Sequence, residues 1–390
     1  MTIAIFSNFF NHHQKPLADE LYKALGEDFT FVATEPMPDS FKKSGYSTFE
    51  NTPYVLHAYE NEKTKHRAVE LSLTSDAVIH GAAPLLYIKE RLALNKLTFR
   101  YAERMFKKSA LQKFNPRTLW NQYKKHTVFK HKDCHMLCAS AYTANDLHWI
   151  GAYPNKMYKW GYFTKTPNID IESVLEEKRN SVFTILFVAR LIDWKHPEMV
   201  ILLAEELKKM GCSFEVKIVG SGDMKEELSN MIDRSDLGNC VKLLGNIENE
   251  QVLELMRTSH AFFFSSDRNE GWGAVANEAM ANGCTLVASH EIGAVPYLII
   301  PYKTGMVFQS KNLKQATAIM RKLIEDRELN SSLARNAFLS IRETWSPKNA
   351  ATNLLGLSQN LLASKQNNIK TGPCSPAKPT KTNWYKTLVK

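Results

Sequence analysis

Nowhere does this 390-residue sequence run to the ~20 apolar residues that would cross a bilayer. Its longest apolar stretches, Ser181–Leu191 and Ala261–Ser265, fall well short, which excludes a membrane-spanning helix from the expected architecture. Met1 leads directly into a short apolar strand, Thr2–Phe6, without a basic leader or a small-residue cleavage site, so no secretory signal is expected. Cysteine is sparse, with six residues at positions 134, 138, 212, 240, 284 and 374. Only Cys134 and Cys138 lie close together, and no second pair completes a zinc site. A disulfide framework is not expected in a chain of this size and type, and buried free thiols in a reducing cytoplasm are expected. Internal repeats are absent. Acidic residues are nearly absent from one region: between Arg91 and Lys132 stand twelve Lys and Arg against the single Glu103, and that local excess surpasses the net charge of +10 for the whole chain. After Lys365 the tail adds Lys370, Lys378, Lys381, Lys386 and Lys390, again without an acid.

What is present is globular. Hydrophobic residues make up 44% and charged residues 23% of the chain, and the length suits two domains rather than one. In the C-terminal half, apolar runs typical of buried parallel strands occur at Phe183–Ala189, Phe214–Val219, Val241–Leu244, Ala261–Phe264 and Thr285–Ala288. Between them lie helical segments, Pro197–Met210, Met224–Arg234, Asn249–Thr258 and Ala274–Asn282. Strand and helix alternate throughout, which predicts an α/β, doubly wound parallel sheet covered on both faces. The N-terminal half alternates less regularly. Strands are expected at Ile3–Phe6, Phe29–Ala33, Ala77–His80 and His135–Ala139, and helices at Pro16–Leu25 and Thr143–Ile150. Tyr153–Arg179 reads as the connector. The resulting domains are 1–160, to which a last helix at 347–363 returns, and 180–345, followed by a basic tail at 366–390 expected to be disordered. In open α/β sheets ligands sit beyond the carboxyl ends of the strands, so the site is expected in a cleft between two facing sheets.

The sharpest segment is Ser265–Ser289. An apolar strand ends at Ser266, a polar loop carries Glu270, and a Gly-Trp-Gly turn feeds a small-residue helix that contains Glu278 seven intervening residues later. The opening of that helix offers free N–H groups suited to a diphosphate. One carboxylate can hold sugar hydroxyls while the other holds ribose hydroxyls. A glutamate near a helix start is also an ordinary dipole partner, which accounts for Glu270 but not for Glu278. Arg190 and Lys195 directly follow the strand that starts at Phe183. Alone they read as surface cations beside Asp193, but with the glutamate segment they form a metal-free clamp for a leaving diphosphate. Gly220-Ser221-Gly222 is not a dinucleotide fingerprint, because Lys225 stands where a third glycine would be needed.

These features resemble the donor domain of retaining glycosyltransferase family 4, which has the GT-B fold: two Rossmann-like doubly wound domains facing a cleft. The resemblance rests on Glu270 with Glu278, on Gly220, Gly222 and Asp223, on Arg190 with Lys195, and on Gly293-Ala294-Val295-Pro296, across roughly 183–307. The fuller string around Glu270 resembles the branch that builds capsular and other bacterial surface polysaccharides. The resemblance implies that Arg190 and Lys195 bind the donor diphosphate, that Glu278 grips the ribose, and that backbone at Gly273, Ala274 and Val275 meets the phosphates. Asn246 or Ile247 would lie near the base. Glu270 and His80 would be the catalytic residues, Glu270 contacting the donor sugar and His80 taking the cleft position of the family's histidine. The donor, a nucleotide-sugar and by expectation a UDP-sugar, is a substrate; neither a cofactor nor a metal is implied. The N-terminal half departs from the family, with Ser7–Pro16 in place of a glycine-rich loop. There Asn11, His12 and His13 are candidates for acceptor binding, although adjacent loop histidines are also ordinary surface residues.

The basic segment interleaves its cations with Leu92, Leu94, Leu97, Phe99, Tyr101, Met105, Phe106, Leu111, Phe114 and Trp120. Leu94, Leu97, Tyr101 and Met105 would share a helical face, and such a helix suits an anionic membrane surface, with the basic tail assisting. The plain alternative is a solvated helix packed on the sheet; a nucleic-acid partner lacks any reading module. The sequence therefore reads as a cytoplasmic enzyme, peripheral on the inner face of the membrane. It would move a sugar to a lipid-linked or polysaccharide acceptor in capsular polysaccharide or lipopolysaccharide biosynthesis. A sugar-nucleotide epimerase of the same fold, or a catalytically silent glycosyltransferase-like partner subunit, is the alternative.

Overall fold

The computed structural model describes residues 1–39, 49, 52–381 and 383–386. It divides into two compact units, 1–165 with 344–380, and 166–343 with 381–390. Unit 1 carries a parallel sheet of β1 (Ile3–Ser7), β2 (Phe29–Ala33), β3 (Val55–His57), β4 (Ala77–His80), β5 (Thr98–Ala102), β6 (Cys134–Cys138) and β7 (Met157–Lys159), in the order β3-β2-β1-β4-β5-β6-β7. Unit 2 carries β8 (Phe183–Val188), β9 (Phe214–Val219), β10 (Val241–Gly245), β11 (Ala261–Phe264), β12 (Thr285–Ser289) and β13 (Met306–Phe308), in the order β10-β9-β8-β11-β12-β13. Both are Rossmann-like. The chain winds outward from the first strand of each unit, returns, and winds the other way, so strand order reverses between β1 and β4 and again between β8 and β11. Loops diverge there and leave a crevice at the carboxyl ends of those strands.

The strands form where the sequence is continuously apolar, because helices cover both faces. Phe183, Ile185 and Phe187 are buried on β8, and Ala261 and Phe263 join them from β11. Helix 198–209 fits the groove by burying Met199, Val200, Ile201, Leu203, Ala204 and Leu207. In unit 1, Pro16 opens the helix Lys15–Leu25, and Asn61 and Thr64 cap the helix Glu62–Thr74 reciprocally.

Four expectations require correction. The supposed basic helix through Leu94, Leu97, Tyr101 and Met105 does not exist: the helix Lys89–Ala93 stops, Asn95 turns the chain at φ 56°, and β5 follows. Thr98-Phe99-Arg100-Tyr101 pairs residue by residue with β6, and tertiary pairing of β-favouring residues overrides the helical spacing. Arg91, counted among the membrane-facing cations, is buried and donates to the carbonyls of Ser72, Ser75, Asp76 and Leu97. The connector read at Tyr153–Arg179 contains β7 and a helix, Ile171–Arg179. Finally, the tail is ordered where it was expected to be disordered. Its residues 374–377 lie along β7, with Lys159 N donating to Ser375 O at 2.8 Å and Ala377 N to Met157 O at 2.9 Å. An edge strand presents unpaired backbone groups, and this segment satisfies them and buries Cys374. Residues 382 and 387–390 of that tail, Lys390 included, lie outside the described residues.

Candidate functional site

The site is built at the reversal point of unit 2, from the loops that leave β8 and β11. After β8 the chain runs through Arg190 into a short turn, Asp193–Lys195. This loop is held from two sides. On one side β9 exits through Gly220 and Gly222, and Leu191 N donates to Ser221 O at 2.9 Å. A Cβ at Gly220 would stand 1.9 Å from the Ala189 carbonyl oxygen, and the residue holds φ at +132°, so only glycine permits the approach. On the other side the β11 loop grips it. The Ser265 hydroxyl reaches the Lys195 and His196 carbonyl oxygens, each at 2.8 Å, and Asp267 N donates to Trp194 O at 3.1 Å.

Those restraints bring Lys195 onto Glu270, whose carboxylate accepts from the ammonium; both side chains are largely shielded from solvent. Lys195 also sits 4.4 Å from the centre of the Trp194 ring, and the Arg190 guanidinium lies 5.9 Å from the same ring. Arg190 itself is exposed. Two cations thus flank one indole beside one carboxylate. In this geometry Lys195 is fixed by a salt bridge and a ring, and Arg190 keeps its guanidinium available.

Beyond Glu270 the Gly-Trp-Gly turn is anchored by Trp272, which is fully buried and donates from Nε1 to Asn277 Oδ1 at 2.9 Å. Gly273 takes φ +90°, and a Cβ there would stand 2.7 Å from the Phe264 ring. The helix Val275–Ala281 follows, and at its start Ala276 N donates to Gly273 O at 3.0 Å and Glu278 N to Ala274 O at 3.2 Å. Glu278 lies one turn inside. Among the described residues no ion pair or side-chain hydrogen bond engages its carboxylate, and burial pushes its pKa up to about 7. Near neutrality such a carboxyl is partly protonated, able to accept or donate a hydrogen bond. Gly293 N and Ala294 N, from the loop after β12, donate to Glu270 O at 3.4 Å and Trp272 O at 3.1 Å. Asn246, exposed, and Ile247 follow the edge strand β10.

Sequence reasoning missed the support beneath Lys195. His196 sits in left-handed backbone at φ 51° and presents Nδ1 to Glu198 at 3.0 Å and Nε2 to Asp267 at 3.4 Å. Asp267 first, and then Glu198, raise its pKa to about 9. The sequence carries no signal for it, because the left-handed backbone of His196 and its approach to Asp267 exist only in the fold.

The unit 1 candidates gather at the other reversal point, where β1 and β4 end. Asn11 Oδ1 accepts from His13 N at 2.9 Å, and its carbonyl accepts from Lys15 N, so Asn11 shapes the start of the helix Lys15–Leu25. The His12 and His13 rings lie 4.0 Å apart, and burial lowers both pKa values, that of His13 to about 3. His80 is buried at the end of β4, with Nε2 3.3 Å from the Pro84 carbonyl, and burial aided by Arg100 lowers it to about 4. All three rings are therefore neutral at pH 7. Among the described residues no cluster of His, Cys, Asp or Glu is arranged to hold a metal, and no helix is long and apolar enough to cross a membrane.

The geometry defines a class first. Two Rossmann-like parallel-sheet units of this kind constitute the GT-B glycosyltransferase fold, and the structure is similar to that of Anabaena Alr3699/HepE in complex with UDP, with a TM-score of 0.66 over 93% of this chain and 100% of that one at 16% identity. It is also similar to a sucrose-phosphate synthase from Thermosynechococcus elongatus, with a TM-score of 0.64 and 16% identity over 94% of this chain and 100% of that one. Residues 169–339, which contain the whole Arg190–Glu278 arrangement, match the family described as glycosyl transferases group 1. A further relative is the amylovoran biosynthesis glycosyltransferase AmsK of Erwinia amylovora, 30% identical over 154 residues, which are 38% of this chain and 38% of that protein. The chain thus matches well under half the length of that relative.

Proposed function

We propose that the chain transfers a sugar from a nucleotide-sugar, with UDP as the carrier, to a lipid-linked or glycan acceptor in surface-polysaccharide biosynthesis. The observation that carries the reading is the Lys195–Glu270 pair at the β8–β11 reversal, inside the segment that matches group 1 glycosyl transferases. Arg190 and Lys195 take the two phosphates, and the backbone at Gly273, Ala274 and Val275 supplies N–H donors to them. Glu278 holds the ribose hydroxyls with a carboxyl that no side chain engages among the described residues. Asn246 and Ile247 lie near the base, and Glu270 contacts the sugar.

The reaction breaks the bond between the anomeric carbon and the diphosphate oxygen. The acceptor hydroxyl forms the new bond on the face the diphosphate leaves, so configuration is retained. Its proton passes to the departing diphosphate, and no metal is needed. The protein's task is electrostatic: Arg190 and Lys195 neutralise charge that grows on the leaving group, and Glu270 holds the sugar as positive charge develops at its anomeric carbon. Neutral imidazoles at His80, His12 and His13 serve as hydrogen-bonding groups toward the sugar and acceptor. The enzyme works as a peripheral protein at the inner face of a bacterial cytoplasmic membrane.

Purified protein should release UDP slowly from a UDP-sugar by hydrolysis, and Glu278→Ala should abolish that release while the melting profile stays native. Equal release by the variant removes Glu278 from the donor site.

A further inference from the structure

The basic segment of unit 1 retains a surface that the glycosyl-transfer reading does not use. Between Arg104 and Lys132 there is no Asp or Glu, against nine Lys and Arg. Within it the helix Pro116–Lys125 buries none of its ten residues, although Leu119, Trp120 and Tyr123 are apolar or aromatic. Leu119 is only half-buried, and Trp120 and Tyr123 stand exposed, so these two rings gain little from packing within the fold and call for another explanation. Leu111 is 73% exposed, Phe114 57%, Trp120 57% and the neighbouring Trp149 51%. Single exposed apolar residues are ordinary; exposed aromatics that meet in pairs are not.

Each aromatic pair carries its own cation. Trp120 and Tyr123 stack with centroids 5.7 Å apart, and Lys124 Nζ lies 4.8 Å from the Trp120 ring. Phe114 and Trp149 meet edge to face at 5.6 Å, with Lys113 Nζ 4.9 Å from Trp149 and 5.2 Å from Phe114. Among the described residues no salt bridge engages Lys108, Lys113, Arg117, Lys124 or Lys125. Rings standing out of the surface with unneutralised ammonium groups at their faces match the boundary of an anionic bilayer, where rings enter the acyl margin and ammonium groups remain among the phosphates. A protein partner would ordinarily select a dry centre depleted of lysine, whereas here Lys113 and Lys124 lie directly against the rings.

We propose that Leu111, Phe114, Trp120, Tyr123 and Trp149, with Lys113 and Lys124, form a docking surface that inserts into the headgroup region of an anionic membrane. It deepens the peripheral-membrane reading above by assigning the contact to this aromatic patch, and it does not depend on the donor site.

The full chain is incubated with sedimenting vesicles of phosphatidylcholine alone and of phosphatidylcholine mixed with phosphatidylglycerol, at low and high salt. Binding to the mixed vesicles is expected, with little to the neutral ones. Lys113→Glu with Lys124→Glu should weaken it roughly tenfold or more, given ~1 kcal/mol per cation at a charged surface. Phe114→Ser with Trp120→Ser should weaken it by a similar factor without changing UDP-sugar hydrolysis, and bromine-labelled lipid should quench wild-type tryptophan fluorescence. Failure to bind mixed vesicles, equal binding to neutral ones, or full binding by both double variants overturns the proposal. Self-association that the same substitutions abolish, in protein that ignores vesicles, would assign the patch to a second copy of the chain and overturn it equally. Loss of hydrolysis in the Glu278→Ala variant bears only on the donor site, so the two readings fail separately.

Discussion

At the scale of residues, the site depends on one lysine kept in place by neighbours that touch no proposed substrate group. His196 follows Lys195 directly and is clasped by Asp267 and Glu198, while Lys311 opposes its charge. Because the folded state raises its pKa from 6.5 to about 9, its contribution to stability is fully present below pH 6.5 and is lost as pH rises through 9. Melting temperature should therefore fall between pH 6.5 and 9, and His196→Gln should flatten that slope. An unchanged slope in the variant would mean that the clasp contributes nothing. This support was not legible in the sequence. Lys195 and Glu270 could each be named from their motifs, but their contact joins residues 75 apart through two loops. The serine and histidine that hold those loops carry no motif of their own.

At the scale of elements, the loops after β8 and β9 approach so closely that side chains are excluded between them. Gly220→Ala should force the Ala189 carbonyl away and displace the Arg190 turn, at a cost of at least ~2 kcal/mol and with weaker nucleotide binding. Gly238→Ala, where an added Cβ meets nothing within 4 Å, is the matched control in chemical denaturation. Wild-type stability in Gly220→Ala would contradict the packing described. The unit 2 strands were readable because a strand covered on both faces must be apolar throughout, as β8, β11 and β12 are. Strands at or near an edge escape that rule. β7 is Met-Tyr-Lys with only Tyr158 buried and β13 has three residues, while β5, paired on both sides, was hidden because Arg100 and Tyr101 stand in a pattern that also fits a helix. The ordered tail was hidden for the related reason that Pro and Gly disfavour regular structure yet can still lie along an edge and satisfy its backbone.

At the scale of the whole molecule, the charge has two destinations. The local excess lies in unit 1, where Lys113 and Lys124 sit against the aromatic rings, whereas Arg190 and Lys195 stand at the reversal point of unit 2. The latter two matter more for chemistry because Lys195 is shielded from water and oriented, and a held cation in such a setting is worth far more than one on an open surface. The central claim is that Arg190 and Lys195 recognise a diphosphate, and calorimetric titration with UDP and with uridine tests it most directly. UDP should bind much more tightly than uridine, and Arg190→Ala with Lys195→Ala should remove at least roughly a hundredfold of that affinity while leaving uridine binding unchanged. Equal affinity of wild type and the double variant for UDP would contradict the account.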